Sequence, residues 1–387
     1  MSSNGNSMET AVRERYANAS QEHEACLCVP SADYDPKFLK ILPEEIIQRD
    51  YGCGDPSKHV REGETVLDLG SGGGKVCYIC AQKVGKRGHV IGVDFNQPML
   101  SLARKYQKSI GDKLGYDNVE FRKGKIQDLA LDLDELEKYI ASEPVRDADG
   151  YLRVQEHADL LRRTQPMIRD ASVDVIVSNC VLNLVQSDQK KQLFAEMFRV
   201  LKVGGRCVIS DIVCDEDVPR ELQDDPKLWS GCISGAFRED KFIEAFEHAG
   251  FYGMRILERS DAPWQTVRGI EFRSVTVEAF KGKQGPCFER NQAVMYKGPW
   301  RKVVDDDGHT LERGQRMAVC DKTFNLYNRP PYREQLVFVE PIEAIPLDDA
   351  KPFNCRANAI RDPRQTKGVG YDVTTEASQC CGTDGCC

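Results

Sequence analysis

Thiols carry most of the chemistry that this sequence offers. Of its 16 cysteines, three sit in distinctive surroundings: Cys53 in Tyr51-Gly-Cys-Gly54, Cys180 in Ser178-Asn-Cys-Val-Leu-Asn-Leu184, and Cys232 in Trp229-Ser-Gly-Cys-Ile-Ser-Gly-Ala236. Glycines and other small residues beside a thiol let the backbone turn sharply, so the sulfurs of Cys53 and Cys232 are expected to be accessible. Thiolates are the soft ligands that proteins supply. Cys26 and Cys28, in Glu24-Ala-Cys-Leu-Cys-Val-Pro30, read as surface thiols or as a mobile arm bearing a redox partner. Cys77 and Cys80 stand three apart in an apolar helical stretch with Val76, Ile79 and Val84. There they read as small buried hydrophobes rather than as a zinc or thioredoxin motif. The chain ends Cys380-Cys-Gly-Thr-Asp-Gly-Cys-Cys387. Those pairs suit a soft ion, but no His or spaced Cys-x-x-Cys set supports a closed zinc site.

The second constellation is Glu64-Thr-Val-Leu-Asp-Leu-Gly-Ser-Gly-Gly-Gly-Lys75. Val66, Leu67 and Leu69 form a short apolar run that ends in glycines, as a buried parallel strand does when it enters a tight turn. Gly70, Gly72 and Gly74 permit positive φ and close approach of a ligand. The helical stretch Lys75 to Val84 presents unpaired N–H groups at its start. The Walker ending is absent, which argues against a triphosphate. A second strand, His89 to Asp94, ends in a carboxylate placed to accept both hydroxyls of a ribose. This loop and acid resemble the cofactor site of S-adenosylmethionine (SAM) dependent methyltransferases. The competing NAD turn is not completed, because Gly72-Gly73-Gly74-Lys75-Val76-Cys77 lacks the closing Gly or Ala.

These groups need a scaffold. Further strands are expected at Asn118–Arg122, Ser172–Ser178, Arg206–Ile212, Met254–Glu258 and Glu271–Phe280, giving an α/β fold, a doubly wound, Rossmann-like seven-strand sheet. Helices are expected at Pro43–Arg49, Gln97–Gln107 with Asn96 as N-cap, Gln189–Leu201 and Glu239–Ala249. Ligands in such a sheet lie across the carboxyl ends of the strands, which places Ile126 and the backbone of Gln127 beside an adenine. Residues 131–168 read as a charged helical insertion with a solvated face. The expected organisation is an arm over 1–55 that begins disordered and carries thiols and a lid, in which Tyr51 closes over the cofactor. A methyltransferase domain over 56–282, a small, partly β accessory domain over 283–355, and a flexible Cys-rich tail over 356–387 follow.

Taken together, the three cysteine motifs resemble those of arsenite methyltransferases, in order through roughly residues 20–340. The resemblance implies transfer of the SAM methyl group to thiolate-bound trivalent arsenic. It puts arsenic on Cys180 and Cys232, with Cys53 as third thiol and Cys26 or Cys28 as its redox partner. Spacing does not decide between those two; the Cys-x-Pro context favours Cys28. It further implies cofactor contacts at Tyr51, Asp68, Gly70, Gly72, Asp94, Ile126, Gln127 and Asn179. Arsenite enters as a thiol conjugate, and the disulfide formed in turnover is reopened by thioredoxin or glutathione. The chain departs from the family pattern at Gln127, where Glu is usual, in the length of the 131–168 insertion, and in the Cys380–Cys387 tail.

Composition narrows the alternatives. The net charge is −8 with no Lys/Arg block, so nucleic acid is not an expected partner. No apolar run approaches roughly 18 residues and the first residues are polar, so no membrane span or export is expected. The expectation is a cytoplasmic, monomeric protein with reduced thiols. Two other readings stand against arsenic methylation. A SAM methyltransferase acting on a small organic substrate would be indifferent to Cys53, Cys180 and Cys232. A non-catalytic thiol protein that binds metalloids would not bind SAM.

Overall fold

Alternating apolar residues on Thr65–Leu69 (β1) feed two cores. Val66 joins Val76, Tyr78, Val90, Val175 and Val208 on one face, while Leu67 and Leu69 join Ile176, Phe194, Met197 and Ile209 on the other. Strand side chains alternate with a period of two, so a strand with apolar side chains on both faces must be covered on both sides. Full burial of each such Leu, Ile or Phe contributes about 1.5–3 kcal/mol. The computed structural model describes residues 3–22, 24, 27, 34–370, 372 and 374. The chain divides into two compact units, Met1–Gly282 and Lys283–Cys387.

In the first unit the sheet continues through His89–Asp94 (β2), Val119–Lys123 (β3), Val173–Asn179 (β4), Leu201–Cys214 (β5), Phe237–Arg238 (β6), Tyr252–Arg259 (β7), Gln265–Val267 (β8) and Ile270–Phe280 (β9). The main path is β3-β2-β1-β4-β5-β9-β7, with short β6 on β5 and short β8 on β9. The strands from β1 to β5 run parallel, and β9 is antiparallel to both β5 and β7. This is the doubly wound α/β sheet expected from the sequence. Its order reverses between β1 and β4, so the crevice at their carboxyl ends is the ligand position. The helix Lys75–Val84 begins directly after the glycine loop. Asn96 caps the next helix by accepting from the Met99 N–H at 3.3 Å. That helix runs to Leu114, beyond the expected Gln107, and stops where Gly115 turns left-handed at φ 80°.

The insertion forms two helices, Leu133–Ser142 and Ala148–Thr164, that share a small apolar seam of Leu131, Leu133, Leu136, Ala158 and Leu161. Arg162 to Asp128 at 2.9 Å and Arg104 to Asp134 at 2.6 Å tie it to the body.

From residue 3 onward the start of the chain is not disordered, contrary to expectation. Ser3–Ala19 is a helix, and Met8, Val12 and Tyr16, spaced four apart, put one apolar stripe against Trp229, Phe95 and Leu184. Arg15 fastens it, donating to the Lys227 carbonyl at 3.0 Å, to Ser230 Oγ at 3.1 Å and to Glu24 Oε1 at 2.6 Å. A stripe this narrow among polar residues is a weak sequence signal, although packing makes it sufficient.

The second unit centres on a three-stranded antiparallel sheet of Arg316–Ala318, Ala293–Tyr296 and Leu336–Val339, packed on Phe324 and Tyr327. Among the described residues no helix is long and apolar enough to cross a membrane.

Val12 is 3 % exposed. Val12→Asp is expected to undock the helix at a cost of about 2–3 kcal/mol. Hydrogen exchange would then rise across residues 3–19 while β1 and β4 stay protected; unchanged protection in the helix would refute this packing.

Candidate active site

A cleft opens at the carboxyl ends of β1 and β4. It is lined by Tyr51, Asp68, Gly70, Gly72, Asp94, Ile126, Gln127 and Asn179, every residue expected to contact a cofactor, and Cys180 borders it as well. Asp94 accepts from the Gly72 N–H at 2.9 Å and the Asn96 N–H at 2.8 Å, so its carboxylate is fixed against the glycine loop. Asp68 is buried under the same loop and accepts from Cys77 Sγ at 3.1 Å. Burial pushes its carboxyl up to about 7, with Asp50 and Asp94 adding to the rise and Cys77 opposing it. Among the described residues the buried hydroxyl of Ser71 has no hydrogen-bond partner, and a Cβ placed on Gly72 would meet nothing within 4 Å. A loop with a spare donor, open space and two carboxylates fits a nucleoside carrying an amino-acid group.

Asn179 does more than line the cleft. Its Oδ1 accepts from the Cys53 N–H at 2.8 Å and the Gly54 N–H at 3.1 Å, while its Nδ2 donates to the Gly54 carbonyl at 2.7 Å and to Tyr34 Oη at 2.9 Å. The Gly52 backbone lies so close that an added Cβ would fall 2.2 Å from Asn179 Nδ2. Tyr51 does not stand open as a lid. Its hydroxyl donates to the Ala19 carbonyl and accepts from the Glu24 N–H, both at 3.0 Å.

Cys53, Cys180 and Cys232 share one cluster with Ile212, Cys214, Ile233 and Phe272. The Cys180 side chain stabilises the ionised form of the Cys53 thiol, and Cys232 Sγ donates to the Cys180 carbonyl at 3.3 Å. The expected accessibility is overturned: Cys53 is 7 % exposed and Cys232 is fully buried. The flanking glycines act by close packing instead of by opening the loops. Gly52 seats against Asn179, and a Cβ on Gly235 would lie 1.9 Å from the Asn183 carbonyl oxygen. The Tyr16 hydroxyl, 3.9 Å from Cys232 Sγ, closes over the thiol from the N-terminal helix. Burial raises the Cys53 thiol above its ordinary range, though the Cys180 side chain opposes the shift. Cys77 and Cys80 are both buried in the apolar core, as expected, although the Cys77 thiol also donates to Asp68. Cys26, Cys28 and the Cys380–Cys387 thiols lie outside the described residues.

Two of these thiols sit on strained backbone. Cys180 and Cys232 have φ of 64° and 61°, the left-handed region that costs a residue with a Cβ about 1–2 kcal/mol. Asp211 holds the Cys180 turn by accepting from the Leu182 N–H at 2.8 Å, and Asn183 Nδ2 donates to the Ile212 carbonyl at 2.6 Å. Burial lifts Asp211 to about 6 and lowers Lys190, behind it, to about 8.

Sequence reasoning missed the contribution of the N-terminal helix, which brings Glu9, Val12 and Tyr16 to the cleft. The four-residue spacing of Met8, Val12 and Tyr16 was the available signal. It also missed Gln189, whose Oε1 accepts from Gln127 Nε2 at 2.8 Å. A further thiol group was missed in the second unit. The sulfurs of Cys287, Cys320 and Cys355 all lie within 4.8 Å of one another, the only such set of His, Cys, Asp or Glu ligand atoms among the described residues. Burial pushes the Cys287 thiol up, but hydrogen bonds with Cys355 and Cys320 and the Lys322 ammonium outweigh it and bring it below the ordinary thiol value.

The strain at Cys180 predicts an inverted order of substitutions. Cys180→Gly is expected to be about 1 kcal/mol more stable than Cys180→Ala, against the usual ranking. Urea denaturation of the two variants checks this, and the normal order would mean that the turn relaxes.

Comparison with known proteins follows the same division of the chain. Residues 60–250 match a family described as a methyltransferase domain, and residues 283–371 match one described as a domain of unknown function. An arsenite methyltransferase of Aquipseudomonas alcaligenes is 32% identical over 339 residues, covering 83% of this chain and 87% of that protein. An arsenite methyltransferase of Mus musculus is 27% identical, covering 96% of this chain and 92% of that protein. Among solved structures, an arsenic(III) S-adenosylmethionine methyltransferase from Chlamydomonas reinhardtii is similar, with a TM-score of 0.53 and 26% identity. It covers 82% of this chain and 98% of that one.

Proposed function

The chain belongs to the arsenite methyltransferase family and is a SAM-dependent methyltransferase; from that premise we propose that it methylates trivalent arsenic held on Cys53, Cys180 and Cys232. The observation that carries this reading is the position of Cys180. It borders the cleft beside the glycine loop while its thiol and carbonyl engage Cys53 and Cys232.

Asp68, Asp94 and the loop from Gly70 to Gly72 hold the cofactor, with Ile126 and Gln127 along its base and Tyr51 and Asn179 at its rim. Because the Gln127 amide nitrogen is engaged by Gln189, its oxygen is the atom left to accept from an exocyclic amino group. When bound, SAM supplies an electrophilic methyl group to the lone pair of arsenic. The thiols need no general base to take up the substrate. Each brings its own proton, which leaves with the displaced hydroxide or thiolate, so burial of neutral thiols is compatible with exchange. Catalysis is then largely a matter of position, worth effective concentrations up to roughly 10⁵–10⁸ M. A methyl group gained through the lone pair oxidises arsenic formally by two electrons. Two cysteine thiolates return those electrons and become a disulfide, for which Cys53 and Cys28 (or Cys26) are the pair we propose. Thioredoxin or glutathione reopens it by exchange.

Cys180→Ser and Cys232→Ser are each expected to abolish methylation of arsenite, a loss of at least about a hundredfold, with SAM binding retained. Mass-resolved chromatography of the arsenic products beside calorimetry of SAM binding tests both halves. Normal turnover in either variant would overturn the assignment.

Asp68 gives a pH dependence of known sign. Its folded-state carboxyl lies near 7, above the ordinary value, so the free protein holds a proton there below that pH. The cationic amino group of SAM favours the ionised form. Affinity should therefore fall as pH drops from 8 to 6, by up to about tenfold per unit below the midpoint. Asp68→Asn should bind weakly at every pH, with a flat profile. A wild-type profile that stays flat would refute the role.

A further inference from the structure

The thiols of the second unit have no part in the reaction proposed above, yet they are better gathered than the thiols that do. Cys287 precedes the short strand Phe288–Glu289, which pairs antiparallel with Lys351–Pro352, and the Phe353 N–H donates to the Cys287 carbonyl at 2.8 Å. That pairing brings Cys355, in the turn Cys355–Ala357, next to Cys287. Cys320 caps the helix Asp321–Tyr327, its sulfur accepting from the Thr323 N–H at 3.3 Å and lying 3.1 Å from Thr323 Oγ1. Three segments distant in sequence thus deliver one sulfur each to one place. Cys320 is fully buried and forms the floor, while Cys287 and Cys355 are half-buried and form an accessible edge.

We propose that Cys287, Cys320 and Cys355 form a second arsenic site, selective for trivalent arsenic that carries no methyl group. Three features point to this ligand class. Three thiols converge with no fourth His, Cys, Asp or Glu donor among the described residues, whereas a closed structural zinc site takes four. Trivalent arsenic is a soft centre satisfied by three thiolates, its fourth position being the lone pair. The exchange also balances without a co-reactant. Three As–O bonds break and three As–S bonds form, each thiol proton leaves on a hydroxide as water, and no oxidation state changes. A monomethylated arsenical has two exchangeable positions and a dimethylated one has a single position. Neither satisfies three sulfurs, so the site distinguishes substrate from product by counting bonds. The choice of arsenite as ligand rests on the proposed activity; the convergence of the thiols does not.

The test uses the full chain with Cys380, Cys381, Cys386 and Cys387 replaced by Ser, which removes competing thiols. This protein is kept reduced with a phosphine, loaded with arsenite, desalted and assayed for arsenic per chain. Cys287→Ser, Cys320→Ser and Cys355→Ser are each expected to lose about one equivalent. Loading with dimethylated trivalent arsenic should give no difference between parent and variants. Because Cys287 and Cys355 are half-buried, their variants report even if Cys320→Ser fails to fold. Arsenic content equal to the parent in Cys287→Ser and Cys355→Ser would overturn the proposal. So would an equivalent of zinc in the parent that the same substitutions remove and that arsenite does not displace. Methylation of arsenite is measured on the same samples. Retained methylation with a lost equivalent supports a second site apart from the reaction. A lost equivalent in a chain that never methylates arsenite supports this site while overturning the proposed activity.

Discussion

The side-chain amide of Asn179 is the joint on which the rest of the site depends. It ends β4, the strand next to the point where the sheet order reverses; three of its four hydrogen bonds fasten the Cys53 loop to that strand, and the fourth goes to the Tyr34 hydroxyl. Each such buried bond nets only about 0.5–1.5 kcal/mol, but breaking one leaves a buried donor or acceptor unsatisfied at about 1–3 kcal/mol. The loop is therefore held by the cost of releasing it. Gly52 is forced by the same contact, since any Cβ would collide with the amide. One residue later the backbone turns left-handed at Cys180, so a single junction fixes two thiols relative to the glycine loop.

A similar logic governs the third thiol. Cys232 is left-handed as well, and its sulfur bonds to the Cys180 carbonyl. Left-handed residues with a Cβ persist where their surroundings over-determine them. Here Asp211, Asn183 and the close seating of Gly235 supply that over-determination. Two of the left-handed residues with a Cβ thus fall at the thiol motifs, and the motifs are distinctive partly because few residues tolerate these contacts.

Much of the fold and of the cofactor cleft was legible in the sequence because both rest on local signals. The apolar run Val66–Leu69, the glycines after it and Asp94 at the end of β2 each declare their conformation within a few residues. The N-terminal helix was not legible, because its stripe of Met8, Val12 and Tyr16 is stabilised by residues distant in sequence, Trp229, Phe95 and Leu184 among them. Thiol exposure was misjudged for a related reason. A glycine permits both an open turn and a close approach, and only the partner, Asn179 for Gly52 or Asn183 for Gly235, decides which. The cluster of Cys287, Cys320 and Cys355 has no short-range spacing at all. It exists through a two-residue strand pairing and a helix cap that no local pattern announces.

The contrast between the two thiol groups follows from what each is proposed to do. A catalyst gains nothing from binding substrate and transition state equally well, and it must release a product. Thiols that already converged on arsenic would hold it in a deep ground state. Cys53, Cys180 and Cys232 instead stand close but engaged within their cluster and with backbone, so on the proposed reading part of the energy of forming As–S bonds would be spent separating them. A site that only retains its ligand has no such constraint. Its sulfurs gain most by being gathered in advance, because preorganisation removes the cost of ordering them on binding. The tighter gathering of Cys287, Cys320 and Cys355 is what the proposed retention would require, and the looser arrangement beside the cleft is what the proposed turnover would require.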